Sequence, residues 1–287
     1  MLWLAIRPKT LLASVSPVIL ATAISAKTAS INWLVAGVIL LCALLIQIIS
    51  NLANDLGDFK RGADEDRVGP TRVTQSGLIS PASMQRLIWG AVVVTLLLGL
   101  FLVAQGGLPI LIIGLVSIVC ALLYTAGPYP LAYNGLGEIF VFIFFGPVAV
   151  AGTVYLLSGR VLPGAVILGA GCGALAAAIL VVNNIRDLEQ DKKVNKNTLA
   201  VRWGKRQTER FYLMLVLAGA LTPLLYCKIV PERCSAALGS LVLVLGILLY
   251  QQLKQAKIGE QYNVMLAKTS GLLFSFSVLT AIGIWIS

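Results

Sequence analysis

The sequence predicts an all-α polytopic membrane protein, with a single integral-membrane domain over residues 1–287 and nine transmembrane helices. Three observations carry this. Apolar residues make up 58% of the 287 and charged residues only 12%, with a mean hydropathy of +0.91, whereas a soluble domain carries about 25% charged residues to cover its surface. The apolar residues fall in long runs near the length that a bilayer core demands, about 20 residues per helix. Lys and Arg gather in alternate inter-run segments, as the positive-inside rule requires of a chain that crosses repeatedly.

Taken in order, Met1–Lys9 mixes Trp3, Leu4 and Ile6 with Arg7 and Lys9, the pattern of a short interfacial helix. Its apolar residues precede the first positive charge, which argues against a cleaved leader despite the small residues around Ala21–Ala26. The spans run approximately Leu11–Ala26, Trp33–Ser50, Leu87–Gln105, Pro109–Ala126, Leu136–Leu157, Gly164–Val182, Phe211–Val230, Ala236–Tyr250 and Ser270–Ile286. The first and eighth are short for a bilayer and are expected to extend into their flanks. In the sixth, Gly169-Ala-Gly171-Cys-Gly173 is a small-residue stripe of the kind that lets helices approach closely.

With the N-terminus inside, the inside segments hold 18 Lys and Arg and the outside segments 4, Lys27, Arg160, Lys228 and Arg233. The expected topology is therefore N-in, C-out. Nine of the twelve Asp and Glu residues lie in two inside segments, Asn51–Arg86 and Asn183–Arg210, which follow the second and sixth spans. That placement suggests a four-helix unit used twice with one helix appended.

Composition also excludes chemistries. The chain has no histidine, so Ser-His-Asp and Cys-His nucleophile pairs and His-ligated zinc or haem are ruled out. Cys42, Cys120, Cys172, Cys227 and Cys234 form no C-x-x-C pair, and neither a disulfide framework nor a Cys-rich metal site is expected. The net charge of +10 is that of a membrane protein with basic inside loops rather than of a nucleic-acid binder; the expected partner is the lipid bilayer.

The first acidic segment reads Asn54-Asp55-Leu-Gly-Asp58, with Asp64-Glu65-Asp66-Arg67 beyond it. If the second helix continues to about Phe59, Asn54 and Asp58 share a face. In the second segment Asn183, Asp187 and Asp191 recur every four residues as a polar stripe at a helical end. Like charges at this spacing repel unless a cation lies between them. Oxygen-only ligands suit a hard cation such as Mg²⁺, which is commonly held by one or two carboxylates together with substrate phosphates. Arg67, Arg72, Arg186, Lys192 and Lys196 are the candidate anion ligands. Solvated helix ends with i,i+4 ion pairs are the alternative for either motif alone; two matching motifs at equivalent points of the topology favour a metal-bridged diphosphate site. Asp66 and Glu189 fit the solvated reading.

These residues resemble the UbiA superfamily of intramembrane aromatic prenyltransferases, which has nine transmembrane helices, N-D-x-x-D-x-x-x-D after the second and D-x-x-x-D after the sixth. Asn54-Asp55-Leu-Gly-Asp58 matches the start of the first motif and Asp187-Leu-Glu-Gln-Asp191 the second. The last acid of the first motif falls on Gly62, and Asp64 is the substitute two residues on. Gly62-Ala-Asp64, Asp66-Arg67-Val-Gly69-Pro70-Thr-Arg72, Asn183-Asn184-Ile-Arg186-Asp187, Asn195-Lys196-Asn197-Thr198-Leu199 and Tyr124-Thr125-Ala-Gly127-Pro128 with Gly135-Leu-Gly-Glu138 are similar to the branch that prenylates 1,4-dihydroxy-2-naphthoate for menaquinone synthesis.

The resemblance implies that Asn54, Asp55, Asp58, Asp187 and Asp191 hold Mg²⁺ on a polyprenyl diphosphate. Asp64 joins them as the substitute acid and Asn183 by its place on the stripe. Arg67, Arg72 and Lys196 would contact the diphosphate. It also implies a 1,4-dihydroxy-2-naphthoate acceptor, loss of CO₂, a demethylmenaquinone product and a multi-pass place in a bacterial inner membrane with the site on the cytoplasmic side. Tyr124 is the candidate for facing an allylic cation; an interfacial belt tyrosine is the other reading. The alternatives are the same fold with another acceptor, such as 4-hydroxybenzoate or homogentisate, and, outside this class, a secondary transporter. Transport sites lie near the bilayer midplane, whereas these acids gather at one surface.

Overall fold

The computed structural model describes residues 2–62 and 72–287, and among them every regular element is helical. A one-turn helix α1 (Leu2–Ile6) turns through Arg7, in a left-handed conformation at φ 53°, into α2 (Pro8–Ala26). There follow α3 (Trp33–Lys60), α4 (Pro81–Gly106), α5 (Leu108–Leu123), α6 (Gly137–Ser158), α7 (Pro163–Arg186), the short α8 (Leu188–Lys193), α9 (Leu199–Ile229), α10 (Pro231–Gln255) and α11 (Gly259–Ile286). Eight of these are long and apolar enough to cross a membrane, and α5 is a shorter apolar helix of 16 residues.

Local chemistry sets the helix ends. α4 begins six residues before the apolar run because Ser80 accepts the Ser83 amide at 3.2 Å and Pro81 occupies the first turn. α2 and α10 extend into their flanks as expected, α2 from Pro8 and α10 through a 3₁₀ stretch over Pro231–Leu241. α9 starts at Leu199, well before its apolar run, and bends at Gly204, whose φ of 74° no bulky residue adopts easily.

α7 is the central post, with 72% of its apolar window buried inside the protein. Its small-residue stripe has the expected use. A Cβ on Gly169 would meet Pro147 Cα at 3.0 Å, and one on Gly173 would meet Gly146 Cα at 3.0 Å and the Phe142 carbonyl closer still. Both contacts are with backbone of α6, at the point where Gly146-Pro147 breaks that helix into a π-type turn. On the other side of α7, Gly171 abuts Thr222 of α9 and Phe276 of α11. Leu168, Cys172, Leu175, Tyr212 and Phe276 are fully buried in this core, while Leu97, Leu100, Val244 and Trp285 are exposed on the outside. Large apolar side chains both within and around the bundle are the arrangement for a hydrocarbon solvent, and the chain is a multi-pass membrane protein.

Candidate active site

The helix α3 continues ten residues past the predicted span, so that Asn51, Asn54, Asp55 and Asp58 ride on its last turns. Asn54 and Asp58 share a face, as their spacing predicts, and both line the large chamber described below. Asp55 points elsewhere. It is 1% exposed, and its two oxygens accept the backbone amides of Val73 and Thr74 at 3.2 and 3.0 Å, pinning the segment that carries Arg72. A carboxylate has about four lone-pair sites, so this bonding leaves capacity on Asp55. Gly57 lets the chain at Thr125 lie on α3: a Cβ there would meet Thr125 Oγ1 at 2.6 Å. Thr125 donates to Asn54 Oδ1 at 3.1 Å, which brings Tyr124 beside the motif.

The second motif departs from the continuous stripe. α7 stops at Arg186, Asp187 sits at φ −93°, ψ 4°, and α8 begins at Leu188. The hydrogen bonds nevertheless step across the bend, with Asp187 N–H donating to the Asn183 carbonyl at 3.0 Å and Asp191 N–H to the Asp187 carbonyl at 2.8 Å. The bend lets Arg186 grip its own neighbour, donating through Nε and Nη2 to both Asp187 oxygens at 2.7 Å. The same guanidinium donates to Asn183 Oδ1 and to Asn263 Oδ1 of α11, each at 2.8 Å. Asp187 is therefore held by a bidentate cation rather than standing on a free face.

The two motifs meet through Lys196. Its Nζ lies 3.5 Å from Asp191 and 3.9 Å from Asp58, and it also stands over the Tyr133 ring at 5.3 Å. Asp58 additionally receives Arg72 Nη2 at 2.8 Å and the Tyr133 hydroxyl at 3.1 Å. Burial raises the Tyr133 hydroxyl above its ordinary range, and the Asp58 charge adds to this. Asp191 is pushed up from 3.8 to about 7, first by burial and then by Asp187 and Asp58, with Lys196 pulling the other way. Its Oδ2 is buried without a hydrogen-bond partner among the described residues. Among the described residues no three acid or thiol side chains converge into a metal cage. The donor set fits an ion that takes part of its shell from a phosphate ligand, as Mg²⁺ does.

This polar cluster closes one end of a chamber of about 1130 Å³. Asn54, Asp58, Arg72, Tyr124, Asn183, Asp187 and Lys196 reach its wall, whereas Asp55 and Asp191 stand behind it. Most of the remainder is apolar, lined by residues such as Val18, Ile39, Leu102, Ile113, Phe144 and Leu156, with further polar side chains such as Thr10, Gln47 and Asn51 among them. Asp64 and Arg67 lie outside the described residues. Sequence reasoning missed Tyr133, Asn263 and the pairing of Glu138 with Asn184. The available signal was Glu138, an acid bordering a span away from both clusters.

Fold and site together define an intramembrane enzyme scaffold, with Lys, Arg and carboxylates clustered beside a largely apolar chamber. The chain belongs to the UbiA prenyltransferase family, whose model matches residues 14–279. It is 40% identical over 223 residues to a 1,4-dihydroxy-2-naphthoate octaprenyltransferase of Escherichia coli (strain K12), covering 75% of this chain and 72% of that one. The protein of the same name from Mycobacterium leprae (strain TN) is 34% identical over 276 residues, 96% of this chain and 92% of the relative. A UbiA homolog from Archaeoglobus fulgidus, solved bound to GPP and Mg²⁺, has the same fold, with a TM-score of 0.69 at 17% identity over 99% of both chains.

Proposed function

We propose that this protein transfers a polyprenyl group from polyprenyl diphosphate to 1,4-dihydroxy-2-naphthoate with loss of diphosphate and CO₂, giving demethylmenaquinol, the two-electron-reduced form of demethylmenaquinone. The observation that carries the reading is the union of the two acidic motifs by Lys196 at the polar end of an apolar chamber. The naphthoate acceptor is supported by the relatives' names.

Mg²⁺, when bound, supplies positive charge against the departing diphosphate. Asn54, Asp58, Asn183 and Asp187 at the chamber wall would hold it, with Asp55 and Asp191 behind them and Asp64 as the further acid. The donor set is oxygen only, and the buried Oδ2 of Asp191 lacks a partner among the described groups. The chain's own cations, Lys196 and Arg72 with Arg67 beyond, orient the diphosphate and balance the charge that develops as its C–O bond breaks. The apolar wall keeps water from the allylic carbon, and the Tyr124 ring at that wall offers its face to positive charge. The ring carbon bearing the carboxylate forms the new C–C bond. The carboxyl C–C electron pair then returns to the ring as CO₂ leaves. The bacterial relatives support an inner-membrane protein, and the 18-to-4 division of Lys and Arg supports an N-terminus and a site on the cytoplasmic side.

The test is a product assay on the full chain in lipid, with polyprenyl diphosphate and either 1,4-dihydroxy-2-naphthoate or 4-hydroxybenzoate, in Mg²⁺ or excess EDTA. A decarboxylated prenyl-naphthoquinol, scored directly or as the quinone it gives on oxidation in air, is expected only with Mg²⁺. Product with 4-hydroxybenzoate alone would move the protein to another acceptor.

A further inference from the structure

Glu138 opens α6 in the interior of the bundle at 3% exposure. Its Oε1 accepts Asn184 Nδ2 at 2.8 Å, and its Oε2 is buried with no hydrogen-bond partner among the described residues. Neither atom takes part in the diphosphate cluster described above. Glu138 thus takes the NH₂ end of the Asn184 amide as its donor and turns the carbonyl end away. The carbonyl end, Oδ1, is left without a bonded donor among the described residues, on a side chain that lines the chamber. Asn183, the next residue, is tied to Arg186 and Asp187. The pair thus stands between the polar cluster and the apolar wall. The Tyr124 hydroxyl packs over Gly137 at the same corner, where a Cβ would come within 2.8 Å of it.

We infer that Asn184, aligned by Glu138, is the subsite that reads a hydroxyl of the aromatic acceptor. The inference rests on the acceptor reading above and deepens it. In 1,4-dihydroxy-2-naphthoate the 1-hydroxyl is ortho to the carboxylate and is satisfied within the molecule. The 4-hydroxyl is a free donor, and on entering a dry chamber it needs an acceptor. The Asn184 carbonyl supplies one, in an orientation that Glu138 fixes. Glu138 is a positioning residue in this scheme, because it acts through Asn184. A site built to bond a hydroxyl discriminates strongly against the analogue that lacks it, since its own buried polar group is then left unpaired.

The experiment compares 1,4-dihydroxy-2-naphthoate with 1-hydroxy-2-naphthoate, which lacks only the 4-hydroxyl. Equilibrium affinities are measured under argon on the full chain in nanodiscs, for wild type, Asn184→Leu and Glu138→Gln, and the KM for the prenyl diphosphate is recorded alongside. Wild type is expected to favour the dihydroxy ligand by about tenfold or more. In Asn184→Leu the ratio should fall to near one with the donor KM unchanged. In Glu138→Gln it should fall part-way, because a glutamine amide can face Asn184 in either sense. Should Asn184→Leu not fold, the ratio in Glu138→Gln decides alone. A wild-type ratio in the variants overturns the subsite while leaving the prenyl-transfer reading in place. A wild type that neither binds nor prenylates the naphthoate overturns that reading and the subsite with it.

Discussion

Lys196 is 12% exposed at its side chain and faces a carboxylate from each motif, Asp58 and Asp191. Removing its charge leaves two buried like charges without their shared partner and removes a cation from the place where diphosphate charge would grow. Lys196→Met is expected to lower kcat/KM for the prenyl diphosphate by about 10²-fold while moving the acceptor KM little, as read by steady-state kinetics. A loss below threefold would contradict the role. Asp191 makes a second prediction. Its folded-state pKa of about 7 lies above its ordinary value of 3.8, so between pH 4 and 7 the folded protein holds a proton that the unfolded chain has released. This group therefore costs metal-free stability as pH rises through that window. Divalent metal needs the carboxylate, so Mg²⁺ with a prenyl diphosphate should raise the Tm more at pH 8 than at pH 5.5. Asp191→Asn should flatten that difference, and thermal unfolding in detergent is the check.

At the level of helices, the site depends on two close approaches made by glycine. Gly57 admits Thr125, and Gly173 admits the broken turn of α6 at Gly146. The atoms facing Gly173 are backbone and cannot swing aside, so Gly173→Ala is expected to cost about 1–3 kcal/mol, seen as a lower Tm. An unchanged Tm would mean that α6 moves freely on α7. How far such features could be read in advance differs between the motifs. The four-residue spacing of Asn54 and Asp58 was a reliable guide, because α3 runs straight through Asn51–Lys60 in spite of Gly57 and the Asn and Asp residues there. The same spacing misled at Asp187. There a bidentate pair with the adjacent Arg186 holds a non-helical residue, and no Gly or Pro marks the break. Tyr133, Asn263 and the partner of Glu138 were hidden for another reason. Each pair meets across a long stretch of chain, and an isolated Tyr or Asn carries no local pattern.

For the whole molecule, scarce charge and a chamber of about 1130 Å³ divide the interior in two: most of the chamber wall is apolar, and Asp58, Asp187 and Asp191 gather beside it with Arg72, Arg186 and Lys196. The central claim is that the two acidic motifs form one site for the diphosphate. The most direct measurement is Mg²⁺-dependent binding of a non-reactive prenyl thiolodiphosphate to the full chain in nanodiscs, for wild type, Asp58→Asn, Asp187→Asn and the double variant. Each single variant should lose tenfold or more in affinity, and the double variant should lose much less than the product of the two, because either change breaks the same site. Full Mg²⁺-dependent binding in either single variant would contradict the account.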